Sequence, residues 1–205
     1  MIKLFLQLLR RDFLILRKEF WSNIVNVLFW LAPNLIIFIY VLPGIGIDRH
    51  YGLIILVGII AIQGLFTAIS NIPELLSDMS DNQAIYYYLS LPIYQWLIFV
   101  RYALRFSLGA CLMSFTLLPV SKILLGDILD FSHFSLFKYL LIYGLSQLFF
   151  GFFALLITAY TNNMIEYERA WVRIVWPLAF LGGYQCTWQA LFANLPYLAY
   201  LNLLN

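Results

Sequence analysis

Charge is what this chain lacks most. Of its 205 residues, 12 are Lys or Arg and 10 are Asp or Glu, 11% together, where a soluble domain carries about a quarter. With 63% hydrophobic residues, a chain folded in water could not cover itself with polar surface, which excludes a secreted scaffold, a nucleic-acid binder and an ordinary cytosolic enzyme. Cysteine is nearly absent: Cys111 and Cys186 both fall in apolar runs, so they read as small buried hydrophobes and neither a disulfide framework nor a thiolate metal site is arguable. His50 and His133 have no second ligand at metal spacing and no Ser or Cys motif beside them, so no metal or catalytic residue is assigned. The chain has no Gly-x-Ser-x-Gly elbow and no Gly-x-x-x-x-Gly-Lys-Ser/Thr phosphate loop. It is therefore not read as an enzyme, and by itself it cannot bind ATP in the P-loop manner.

What is present is length without charge. A bilayer core about 30 Å thick needs roughly 20 helical residues, and the sequence offers five such runs, at 20–42, 52–72, 95–118, 136–161 and 174–195. Pro43-Gly44 closes the first, Pro73 the second, and Asn194 with Pro196 the fifth. Membrane-barrel strands would alternate in short segments; these runs do not, so the expected fold is an all-α polytopic membrane protein. Arg10, Arg11, Arg17 and Lys18 interrupt the first twenty residues and no small-residue cleavage site follows, so that segment is kept rather than read as a signal peptide. None of the five runs contains a carboxylate, which removes the usual titratable relay of a proton- or ion-coupled transporter.

Orientation follows from the basic residues. Lys3, Arg10, Arg11, Arg17, Lys18, Arg101, Arg105, Arg169 and Arg173 fall on one side of the expected topology and only Arg49, Lys122 and Lys138 on the other. The positive-inside rule makes the first side, and the N-terminus, cytoplasmic. Residues 1–19 place Lys3, Arg10, Arg11, Arg17 and Lys18 among leucines at helical spacing, a pattern expected of an interfacial helix against headgroups. Such a helix serves as a topogenic anchor or passes force between a cytosolic partner and the first span.

Residues 73–92 contain no Lys or Arg. Glu74, Asp78 and Asp81, at i, i+4 and i+7, would form one acidic face opposite Leu76, Met79 and Tyr87 on a cytoplasmic helix over 74–90. That face reads as a solvated surface or as a contact for a basic or polar protein. Glu166 and Arg169, at i and i+3, suggest a local ion pair. Arg101 and Arg105, one turn apart near the start of the third run, either snorkel to headgroups or serve a substrate or gating role. Asn23, Asn26, Asn34, Gln63 and Asn71 can hydrogen-bond across helices, and Gly144, Gln147, Gly151 and Thr158 suggest one small, polar face that lets the fourth run pack closely.

This layout, with Glu74 leading into "YYYLSLPIYQW" up to Trp96 and with "WPLAFLGGYQCTWQALFANLPYLAYLNLLN" over 176–205, resembles the ABC-2 type permeases. The first stretch is similar to that family's coupling-helix region and the turn into its third span. The second is similar to its fifth span, with Pro177, Gly182-Gly183 and the Asn194-Leu195-Pro196 break. The resemblance implies a permease subunit of an ATP-binding cassette exporter in a bacterial plasma (inner) membrane, paired with a second permease copy or homologue. ATP and magnesium would be bound by a separate P-loop ATPase rather than by this chain. By position, Glu74, Asp78, Asp81, Leu89 and Pro92 would serve ATPase coupling, and Asn23, Asn26, Gln63, Arg101 and Arg105 are candidates for the substrate pathway. Where the family has six spans, five are expected here, with 196–205 as a re-entrant segment; a non-transporting membrane scaffold or assembly factor is the alternative.

Overall fold

The computed structural model describes residues 2–44, 46, 49–80, 84–125, 135–180, 192–193 and 196–199, and the elements among them are all helical. The first helix, α1, runs without a break over Ile2–Leu35. At about 1.5 Å per residue its 34 residues span about 51 Å, well beyond a core of about 30 Å. The separate interfacial helix expected over 1–19 is thus joined to the first apolar run in one helix. The physical reason is that the charge pattern changes near residue 20 while the backbone meets no Gly or Pro before Pro33. Pro33 removes a backbone donor and crowds the carbonyl one turn back, and shortly after it the helix widens into a π segment, Ile36–Val41.

Helix α2, Arg49–Ser70, ends where the Asn71 side chain turns back and donates to the Thr67 carbonyl at 2.6 Å. Helix α3, Ile72–Ser80, places Pro73 in its first turn, where a missing N–H has no partner to lose. Helix α4 is Ala84–Leu89. The single helix expected over 74–90 is therefore two helices; Asp81 lies outside the described residues. The Pro92 turn leads into α5, Gln95–Phe115, and only Thr116 separates it from α6, Leu117–Leu125, so this helical run extends past the expected end at 118. Helix α7 is Leu136–Ala159. After a capped turn come α8, Met164–Ala170, a π segment, Trp171–Val175, and the short Trp176–Ala179. Most of the expected fifth run and of the re-entrant segment lies outside the described residues; of the latter, one helical turn, Pro196–Ala199, is described and named α9.

Among the described residues, three helical stretches are long and apolar enough to cross a membrane: Gly58–Met79, Gln95–Ile123 and Leu136–Ala159. Helix α5 is central and packs against α1, α2 and α7. Its buried Ile98, Tyr102, Phe106 and Met113 meet a core that includes Leu31 of α1, Ile62, Leu65 and Ile69 of α2, and Phe150 and Ala154 of α7. The close α5–α7 contact depends on Gly151, because a Cβ there would collide with the Ser107 hydroxyl and the Ala103 carbonyl. In the same way Gly64 of α2 leaves room for the Gln147 amide of α7. Apolar association gains little in lipid, so small residues of this kind and interhelical hydrogen bonds hold a bundle together. One such bond joins Ser114 and Tyr143 at 2.7 Å. Gly144, expected on the same close-packed face, instead has open space beside it. The outer side of α7 leaves Phe137, Leu141, Leu145, Phe149 and Phe152 exposed, as suits a surface turned to acyl chains.

Candidate functional site

The candidate site lies where α1, α3, α4 and α5 meet. The continuity of α1 carries Asp12 alongside the second turn of α5, and there it meets Arg101. Arg101 Nε donates to Asp12 Oδ2 at 2.5 Å and Nη2 donates to Oδ1 at 2.7 Å. Their side chains are 1% and 0% exposed. Two parallel bonds from a planar fork to a carboxylate fix both distance and orientation, which a single contact would not. Taking both charges out of water costs much of what their attraction returns, so the pair acts more on register than on net stability.

Aromatic rings close the pair in. The Arg101 guanidinium carbon lies 4.5 Å from the centroid of the Tyr88 ring and 5.0 Å from that of Tyr102, within range of attraction between a cation and a ring face. Arg101 Nη1 has no hydrogen-bond partner, and these ring contacts are the interactions that remain to that side of the group. The Tyr88 hydroxyl accepts from Arg11 Nη2 at 2.8 Å, and Arg11 also reaches Asp12 Oδ1 at 3.3 Å. Tyr88 of α4 thereby touches an arginine of α1 and one of α5.

Helix α3 joins the same cluster through its acids. Tyr102 donates its hydroxyl proton to Asp78 Oδ2 at 2.9 Å, and Arg105 Nη2 lies 2.6 Å from Glu74 Oε1. Leu75 and Leu76 of α3 are buried, whereas Met79 of α3 and Tyr86 and Tyr87 of α4 are exposed. The acidic face, expected as a solvated surface or as a contact for a partner protein, is bonded at Glu74 and Asp78 to α5, with Glu74 still 45% exposed. Periodicity places these two acids together but does not say which way they point, and Arg105 and the Tyr102 hydroxyl of α5 decide it.

The arginines of α5 do not snorkel. Arg101 and Arg105 are both buried, because carboxylates within the fold reach them first. Leu89 is partly buried against the core and Pro92 is exposed in the turn before α5. Lys3, Arg10, Arg17 and Lys18 are exposed along α1. Asn23 is half-buried, Asn26 is exposed, and Gln63 donates to Thr67 at 3.3 Å within α2; none of the three joins the cluster. The residues of the cluster that sequence reasoning missed are Asp12, Tyr88 and Tyr102; the two tyrosines carry no signal in residue order, but Asp12 does. Its signal was available, as the one carboxylate among residues 1–18.

The turn between α7 and α8 is closed by a reciprocal cap. Asn163 Oδ1 accepts the Glu166 N–H at 2.9 Å, and the Glu166 carboxylate accepts the Asn162 N–H at 2.7 Å. Together these satisfy donors that a helix start leaves free. Glu166 is therefore committed to the helix N-terminus, and the ion pair expected between Glu166 and Arg169 does not form. Burial pushes the Tyr167 phenol above its usual range, with a hydrogen bond to Trp171 opposing the shift, so this ring stays neutral at physiological pH.

Among the described residues, no group of three His, Cys, Asp or Glu side chains is placed to hold a metal ion. Compared with protein-family models, curated proteins and solved structures, the chain matches none.

Proposed function

We propose that this chain is the membrane permease subunit of an ATP-binding cassette exporter of the ABC-2 type, driven by a separate P-loop ATPase. The observation that supports the reading is the attachment of α3 and α4 to the long helices α1 and α5. Tyr88 binds α4 to both Arg11 and Arg101, while Asp78 and Glu74 bind α3 to Tyr102 and Arg105. Force applied to such a pair is passed to α1 and α5, where a slack loop would absorb it. In this reading the ATPase presses on the exposed side, at Met79, Tyr86 and Tyr87, and its closure on ATP tilts the spans. Arg101 and Arg105 then belong to the coupling machinery, and Asn23, Asn26 and Gln63 remain as pathway candidates. The reading takes five spans, the N-terminus and α3–α4 on the cytoplasmic side of a bacterial inner membrane, and a second permease to complete the pathway. The length of α1 supports a cytoplasmic extension, since about 20 Å of it exceeds the apolar core.

The test is affinity purification from the native membrane in mild detergent. A P-loop ATPase should co-purify with the wild-type chain and be lost from the Met79→Ala/Tyr86→Ala variant, whose two side chains are exposed and outside the buried network. Recovery of folded wild-type chain without any ATPase would sink the reading and favour a membrane scaffold.

A further inference from the structure

We propose that the pocket at the foot of α7 binds the phosphate headgroup of an anionic phospholipid. The pocket has a volume of about 450 Å3 and lies between the last turns of α7 and the helical stretch that follows it. Two kinds of surface meet there. Leu156, Tyr160 and Ile174 form an apolar wall, and Arg169, Arg173 and Glu166 supply its charges. Leu156, Tyr160 and Ile174 are all exposed, so the wall continues the uncovered apolar side of α7.

The balance of charge favours an anion. Arg169 and Arg173 are one helical turn apart, both are exposed, and among the described residues no carboxylate forms an ion pair with either. Glu166 is the acid that lines the pocket, and its Oε2 is held by the Asn162 backbone N–H and side-chain amide at 2.7 and 3.2 Å. Two planar guanidinium groups remain to donate to one ligand, and their forked N–H groups match the oxygens of a phosphodiester. A free phosphate ion would use the arginines alone. A lipid uses the arginines and the apolar wall together, and this pairing of surfaces selects it. Helix α3, which carries Glu74 and Asp78, packs against both α7 and α8, so the pocket opens at the end of the bundle where nine of the twelve basic residues are expected. A leaflet containing anionic lipid attracts such an end, by about a factor of five in affinity for each Lys or Arg near its surface. This inference does not depend on the transport reading.

Native mass spectrometry of the purified chain with added dioleoylphosphatidylglycerol or dioleoylphosphatidylcholine tests it. The wild type should retain phosphatidylglycerol in preference to phosphatidylcholine. Arg169→Gln/Arg173→Gln should weaken that retention by about tenfold or more, as expected when charge-assisted hydrogen bonds to a phosphate are lost, and Lys3→Gln/Arg10→Gln should not. Arg169→Lys/Arg173→Lys should keep part of the preference, and millimolar inorganic phosphate should not displace the lipid. Equal retention of the two lipids by the wild type would overturn the proposal. So would an undiminished preference in the Gln pair, or displacement by inorganic phosphate, which would assign the pocket to a free anion. If the Gln pair does not fold, the wild-type lipid preference and phosphate competition, read with the Lys pair, still decide.

Discussion

Asp12 and Arg101, 89 positions apart in the chain, meet through two hydrogen bonds in a pocket closed to solvent. Their pairing determines how far α1 is slid along α5.

Breaking one side of this pair leaves a buried charge without its counterion. Asp12→Ala should therefore destabilise the fold by about 3–5 kcal/mol, whereas replacing both partners by Asp12→Leu and Arg101→Met should cost much less. Thermal unfolding in detergent, followed by loss of the monodisperse peak, measures both. A double variant as unstable as the single one would show that the charges do more than satisfy each other.

Tyr88 contributes in two separable ways. Tyr88→Phe removes the hydroxyl that accepts from Arg11 but keeps the ring over Arg101. Because Arg11 is substantially exposed, the loss should be about 1 kcal/mol or less. Tyr88→Leu also removes the ring face from a desolvated cation and should cost about 2 kcal/mol more. Equal effects of the two substitutions in the same unfolding assay would mean that the ring contact is without energetic weight.

Much of the helical layout was legible in residue order. Helix α7 begins at the expected Leu136 and ends two residues before the expected boundary, and α5 begins at the expected Gln95, because long apolar runs end abruptly in polar or proline-containing turns. The site was less legible. Asp12 sits beside Arg11, so its local environment explains it away, and nothing in residue order connects it with a position in the third apolar run. Of the acidic face expected from Glu74, Asp78 and Asp81, the first two contact α5 and the third lies outside the described residues; periodicity defines a face without its direction. The split between an interfacial helix and a span was inferred from charge, whereas helix continuity depends on the backbone, which has no breaker there.

Gly151 and Gly144 separate close packing from mere smallness. Gly151→Ala places a methyl group against the Ala103 carbonyl and the Ser107 hydroxyl; since backbone must move, the cost should be about 1–3 kcal/mol. Gly144→Ala meets open space and should be neutral or slightly stabilising, because Ala is the better helix former. Comparable destabilisation by the two would mean that α5 and α7 are not in the contact described.

The cap at Asn163 holds the turn from which Arg169 and Arg173 project. Asn163→Ala should cost about 1 kcal/mol and should do so locally, raising amide hydrogen exchange at residues 164–170 while α5 stays protected. Uniformly faster exchange through the bundle would instead make this turn part of the cooperative core.

The direction of insertion can be read at the two ends of α7. Ser135 and Glu168 are both exposed and lie on either side of a helix of 24 residues, about 36 Å at about 1.5 Å per residue, enough to cross the core once. Lys138 belongs to the first end, while Arg169 and Arg173 belong to the second, where α3 also packs. The excess of positive charge at the second end predicts that it stays in the cytoplasm. In a background with Cys111→Ala and Cys186→Ala, a cysteine at Ser135 should react with an impermeant maleimide in intact cells, and one at Glu168 should react only after the membrane is opened. Labelling at Glu168 alone would invert the orientation, and with it place α3, α4 and the Asp12–Arg101 cluster on the side where no ATP is available to an ATPase partner.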